Sequence, residues 1–195
     1  ELIMEKTIRF KAGDLIYSSG QLGPAYQVTS GTIRLDHAHK SHKSVLANLA
    51  IADDLVGAEV LLRKPYAFQA YALTDCELTV WQQPTDSLAE ALAEQLIKSS
   101  LRQSDVVSLR CGLAMERIMK FIQLVSYKGQ AGTSSNIALP PLKETADITD
   151  LTIETVCRCI ASLRKQGVLV PVQGVRGNVR NQFTFSNQSF VAMAA

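Results

Sequence analysis

The sequence predicts an α+β chain: an N-terminal roll of short β-strands, a long helix, and a C-terminal helical segment closed by a β-hairpin. Three observations predict it. Between Thr7 and Trp81, short apolar–polar alternations are punctuated by Gly-containing turns. From about residue 86 to 110 the chain has neither Pro nor Gly and is rich in Leu, Ala, Glu and Gln. From Leu142 to Gly167, LKETADITDLTIETVCRCIASLRKQG reads as two short helices joined by a tight turn.

Within the roll, alternation marks strands at Thr7–Phe10, Leu15–Tyr17, Tyr26–Thr29, Thr32–Asp36 and Leu78–Trp81. Gly13-Asp14, Ser19-Gly20, Gly23-Pro24 and Ser30-Gly31 are the turns between them, where glycine supplies positive φ. Many short strands at this spacing imply a jelly roll or barrel. His37, His39 and His42 form an H-x-H-x-x-H run, and residues 37 and 39 of one strand would share a face. Lys40, Ser41 and Lys43 mark the same segment as a solvated loop tip, so no metal site is assigned.

On the long helix Leu92, Leu96, Val106 and Leu113 fall on a heptad-like track whose middle is polar, with Ser99 and Gln103 on it. Gly112 then breaks the helix, and Glu116-Arg117-Ile118 opens another, running to Val125. Lys128–Ser135 reads as a flexible loop, and Ile137–Leu139 as a strand before Pro140-Pro141. The next helix runs from Leu142 to about Ile148, with Thr149 and Asp150 at the turn. The helix after it spans about residues 152–166: the Thr152 hydroxyl caps its start, and Gly167 takes the left-handed position that ends it. Beyond it, Leu169–Val172 and Gln182–Phe185 alternate around Gly174 and Gly177, a hairpin.

That second helix has two faces. Ile153, Val156, Ile160 and Leu163 form an apolar stripe expected to face inward. Thr152, Glu154, Thr155, Arg158, Ser162 and Lys165 lie away from it, and these side chains can meet base edges: guanidinium to guanine, carboxylate to the cytosine amino group, hydroxyl to either. Two short helices in this arrangement are those that set a recognition helix in the major groove. The same Glu154–Arg158 spacing also allows a simple i, i+4 brace on a solvated helix. Charge distribution favours nucleic acid. After Glu154 the chain has no acidic residue but carries Arg158, Arg164, Lys165, Arg176 and Arg180, the last two in the hairpin and suited to phosphate.

Of the formal charge, residues 1–86 hold eight Lys and Arg against ten Asp and Glu, and the remainder twelve against eight. Cys76, Cys111, Cys157 and Cys159 show neither CxxC nor zinc spacing, and Cys157 and Cys159 point to different sides of one helix. Reduced thiols imply a cytoplasmic setting. No signal peptide or membrane-length apolar run is expected. The chain opens on Glu1 rather than Met, so further residues are expected ahead of it. No nucleophile stands beside a base, so an enzyme is not expected. The alternatives are a cupin-like metal-binding protein, which needs the three histidines inside the roll, and a ligand-binding module without DNA activity.

The stretch LTIETVCRCIASLRKQGVL resembles the recognition helix of the cyclic-AMP receptor protein and fumarate–nitrate regulator (CRP/FNR) family of bacterial transcription factors; Leu151-Thr152, Glu154-Thr155-Val156, Arg158, Leu163 and Gly167-Val168-Leu169 carry the likeness. It extends through Phe10-x-x-Gly13-x-x-Ile16-Tyr17-x-x-Gly20 and Tyr26-x-Val28-x-x-Gly31-x-Ile33-Arg34-Leu35, similar to the family's effector-sensing β-roll. The resemblance implies a cyclic-nucleotide-binding-like roll (a double-stranded β-helix) over 1–86, a dimerisation helix and hinge over 87–112, and a winged helix-turn-helix over 113–195. It further implies a homodimer on a palindromic DNA site, with RNA polymerase as a partner if the protein is an activator. Asp54-Leu55-Val56-Gly57-Ala58-Glu59 falls where the family has its short ligand-binding helix, making Gly57, Glu59, Arg63, Phe68 and Gln69 the effector-pocket candidates. Here the chain departs from the cyclic-nucleotide members. Gly57 is followed by Ala58 instead of Glu, and the Arg-Ser positions are Phe68 and Gln69. An apolar ring cannot neutralise a phosphate. The expected effector is therefore not cyclic AMP, or there is none, and no cofactor is expected, since the cysteine cluster of the iron–sulfur members is also missing.

Overall fold

The computed structural model describes residues 7–37, 45–82, 87–126, 134–172 and 182–186. Its internal contacts divide the chain into two compact units, Glu1–Val106 and Val107–Ala195.

In the first unit the strands are β1 (Thr7–Phe10), β2 (Leu15–Tyr17), β3 (Tyr26–Ser30), β4 (Ile33–His37), β5 (Val45–Ala50), β6 (Leu55–Val56), β7 (Gln69–Ala72) and β8 (Cys76–Val80). They form two antiparallel four-stranded sheets, β1-β8-β3-β6 and β2-β7-β4-β5. The core of this unit holds Val28, Ile33, Ala50, Ala70, Ala72 and Leu78. The strands expected from alternation are present, although the last begins at Cys76 instead of Leu78. Strands β5, β6 and β7 are additions. In β5 the pattern runs from exposed Val45 to three consecutive buried residues, Asn48, Leu49 and Ala50. Burial on both faces leaves no alternation to mark such a strand.

A short 3-10 helix over Ala58–Leu62 stands between two left-handed residues, Gly57 (φ 71°) and Arg63 (φ 58°). At Gly57 a Cβ would lie 2.6 Å from the Tyr66 ring, so both the backbone and the space require glycine. Tyr66 stacks on Tyr17 with ring centroids 3.9 Å apart, and its hydroxyl donates to the Pro24 carbonyl at 2.7 Å.

Helix α1 spans Leu88–Ser108. Its half-buried line is Ala91, Gln95, Lys98 and Arg102, ending at buried Val106. The structure departs from the expected dimer track at two positions, Val106 and Leu113. Val106 is buried whereas Leu96 is 71% exposed, and Leu113, 71% exposed, lies beyond the helix and precedes α2. Leu92 sits at the edge, 36% exposed. The uncovered apolar residues of α1 are instead Leu96, Ile97, Leu101 and Val107, on the side opposite the half-buried line, with Ser100 and Ser104 among them.

The second unit contains α2 (Ala114–Val125), β9 (Ser134–Ala138), α3 (Leu142–Thr149), α4 (Ile153–Lys165), β10 (Leu169–Pro171) and β11 (Gln182–Ser186). The three strands make one antiparallel sheet in the order β10-β11-β9. Ile118, Ile122, Ile137, Ala146, Val156, Leu163, Leu169, Phe183 and Phe185 bring the three helices and this sheet into one core. Among the described residues no helix is long and apolar enough to cross a membrane.

Candidate nucleic-acid interface

Helix α4 begins and ends where its sequence directs. The Thr152 hydroxyl accepts from the Thr155 N–H at 3.2 Å, satisfying a donor of the first turn. At the other end Gly167 has φ 73°, the Val168 N–H donates to the Leu163 carbonyl, and the Gly167 N–H donates to the Arg164 carbonyl. This is a Schellman closure, sealed by Leu163 and Val168, both fully buried. Arg164 and Lys165 in the last turn complement the negative end of the helix dipole.

The inward stripe is Val156, Cys159 and Leu163, with Ile160 at its margin. Ile153 departs from expectation: it is 48% exposed. The 3.6 period places it near Ile160, but at the first residue of the helix it extends past the core that receives Val156. Cys157 is exposed and Cys159 buried, so the two thiols do point to different sides. Burial raises the Cys159 thiol above its ordinary value, a shift that the neighbouring Arg158 charge opposes.

Of the residues expected to meet DNA, the structure brings three into one network. The Thr152 and Thr155 hydroxyls are 2.9 Å apart, and the Arg158 Nη2 donates to Thr155 Oγ1 at 3.4 Å. Glu154, Arg158 and Lys165 are exposed, Ser162 half-buried. Among the described residues Glu154 and Arg158 form no ion pair, so the helix-brace alternative is not what this geometry adopts. Arg176 and Arg180 lie outside the described residues, as do His39 and His42.

Helix α3 ends at Asp150, which takes a left-handed φ of 53°. Sequence reasoning missed what surrounds this turn. The Arg110 guanidinium donates to the carbonyls of Ile148 and Asp147, and Arg117 donates to those of Thr149 and Asp150. The acceptors are backbone groups, which no side-chain pattern announces.

The effector-pocket candidates stand on and beside the short helix and at the start of β7. Gly57 packs on Tyr66, and Glu59 Oε1 accepts from the Ala67 N–H at 3.2 Å. Arg63 is exposed. Phe68 sets its ring edge-on to His37, centroids 4.7 Å apart, and Gln69 starts β7. None of the five lines a cavity of about 40 Å3 in the first unit that is bounded by Leu35, Asn48, Leu49, Asp54, Gln95, Ser99 and Arg102 among others. There the Arg102 Nε donates to Asp54 Oδ2 at 3.0 Å, while the same oxygen accepts from the Ile51 N–H at 2.9 Å. No group of His, Cys, Asp or Glu among the described residues is arranged to hold a metal ion.

Comparison with known proteins bears on both units. Residues 7–95 match the cyclic nucleotide-binding domain family. The chain is 26% identical over 164 residues to the nitrogen fixation regulation protein FixK of Rhizobium meliloti, covering 82% of this chain and 76% of that one. Its fold is similar to the structure of FixK2 from Bradyrhizobium japonicum, with a TM-score of 0.70 at 20% identity, covering 98% and 97% of the two chains. It is also similar to a CRP-family transcriptional regulator from Thermus thermophilus, with a TM-score of 0.69 at 18% identity and 95% of each chain covered.

Proposed function

We propose that the chain is a transcription regulator of the CRP/FNR family, to whose members it is similar, and that it acts as a homodimer that reads a specific DNA sequence, with α4 as the recognition helix of a winged helix-turn-helix. The observation that carries this reading is the outward face of α4. Thr152, Thr155 and Arg158 are linked there by hydrogen bonds, on a helix whose other face is locked into a core by Val156 and Leu163. A side chain steadied in this way presents its donors with less freedom left to lose on binding. In this reading Arg158 donates a bidentate pair to guanine, and Glu154 accepts from a cytosine amino group. Ile153, exposed beside Glu154, offers an apolar contact to a thymine methyl. Thr152, Ser162 and Lys165 flank them, and Arg176 and Arg180 in the wing meet phosphates.

The homodimer rests on α1. Leu96, Ile97, Leu101 and Val107 are a large apolar set left uncovered on one helix, and a second copy of the same helix covers it under twofold symmetry. Two recognition helices related in this way fit a palindromic site with half-sites about 34 Å apart. The first unit is the sensor, or the remnant of one, with an effector other than cyclic AMP or none at all. Ala58, Phe68 and Gln69 supply neither carboxylate nor cation for a cyclic nucleotide. The setting is the cytoplasm, with RNA polymerase as a further partner if the protein activates.

Selection of bound duplexes from a random pool, at a stated salt concentration, tests the proposal. The expected result is enrichment of one inverted repeat. A pool that stays random after repeated rounds would leave a ligand-binding module without DNA activity as the better description.

A further inference from the structure

We propose that Arg110 and Arg117 are positioning residues for DNA reading: together they clamp the end of α3 and so set the direction in which α4 leaves the turn. The inference rests on the DNA-binding reading above and adds residues to it. An α-helix ends with four carbonyls that have no partner within the helix. At the end of α3, two guanidiniums supply donors to four consecutive carbonyls. Arg110 Nε and Nη2 donate to Ile148 and Asp147 at 3.2 and 3.3 Å. Arg117 Nη1 donates to Thr149 and Asp150 at 3.3 and 3.4 Å. A cation at this end also meets the negative pole of the helix dipole.

The clamp reaches further back along the chain. Arg117 Nε donates to the Gly112 carbonyl at 2.9 Å, so one planar guanidinium joins the glycine before α2 to the turn before α4. Gly112 itself has φ 93°, and a Cβ there would lie 2.4 Å from Glu116 Oε2, the oxygen that accepts the Leu113 N–H at 3.0 Å. Backbone, cap and clamp at this corner therefore constrain one another. Past the turn, Leu151 alone separates Asp150 from Thr152, the cap of α4. With so short a connection, a shift at Asp150 is passed to the first turn of α4, where Glu154, Thr155 and Arg158 stand.

The test uses Arg117→Lys in the full chain, because lysine keeps the charge but loses the fork that spans three carbonyls. Its readouts are affinity for the selected duplex and for a scrambled one, the salt dependence of each, and amide exchange in the DNA-free protein. The expected result is a loss of about tenfold on the selected duplex, the scale of one charge-assisted hydrogen bond. Scrambled-duplex affinity and salt slope stay unchanged, and exchange becomes faster at residues 147–156 but not within α2. Full affinity with lysine, or a reduced salt slope, would make Arg117 a phosphate contact and overturn the proposal; so would unchanged exchange at the turn. If Arg117→Lys lowers the melting temperature, Arg110→Lys, which touches the Asp147 and Ile148 contacts alone, is measured in its place with the same outcomes. Should the unaltered protein bind no duplex, the DNA reading fails by itself, and the exchange comparison still decides for or against the clamp.

Discussion

Arg158, Arg176 and Arg180 carry the same charge but differ in what they are proposed to touch. Arg158 is steadied from Thr155 on a rigid helix, so its loss should fall on one base pair. Arg158→Ala is expected to cost ~1–3 kcal/mol on the preferred site and to relax the preference at one position. Arg180→Ala should weaken all sequences about equally and lower the salt slope by about one counterion. Binding measured on matched and mismatched duplexes across salt separates them; uniform loss for Arg158→Ala would make it a phosphate contact. A second residue-scale expectation concerns Tyr66. Burial, with smaller contributions from Tyr26 and Glu59, pushes its hydroxyl from 10.0 up to about 12. The fold therefore favours the neutral phenol: this contribution to stability is intact below pH 10, the unfolded value, and is lost as pH rises through about 12. Denaturant midpoints should fall between these limits, and less steeply in Tyr66→Phe. Equal slopes in the two proteins would show that Tyr66 does not carry the alkaline loss.

At the scale of elements, α4 is the part most open to prediction, because its signals are local: Thr152 before it, Gly167 after it, and apolar residues at helical spacing. Gly167→Ala tests the closure. Nothing lies within 4 Å of the added methyl, so the whole effect is the left-handed backbone, at ~1–2 kcal/mol. A melting temperature equal to that of the unaltered protein would refute it. Where sequence reading fell short, the reasons are physical. Periodicity cannot show that the core ends before the first turn, hence Ile153. Strands buried on two faces lose the alternation that marks an edge, hence β5. On helix α1 heptad spacing places Val106 and Leu113 on the track, but it shows neither that Val106 turns inward nor that the helix stops before Leu113.

For the whole molecule, assembly and effector choice are the testable properties. Ile97→Glu combined with Leu101→Glu places charges in the middle of the uncovered stripe, and sedimentation at micromolar concentration should show the dimer replaced by a monomer. An unaltered chain that stays monomeric even with DNA would remove α1 from the proposal. Calorimetry with cyclic AMP should show no binding at micromolar concentration; tight binding would restore the sensor role that Ala58, Phe68 and Gln69 argue against. The Arg102–Asp54 pair bears on any other effector as well. Arg102 already holds two carboxylates of its own chain, those of Asp54 and Asp105, so an acidic compound that pairs with it would have to displace one of them. The net gain would then be the difference between two similar bonds, which favours a ligand that brings more than charge. A compound able to compete must bring more than charge: a second acidic group, or apolar surface for Leu35 and Leu49.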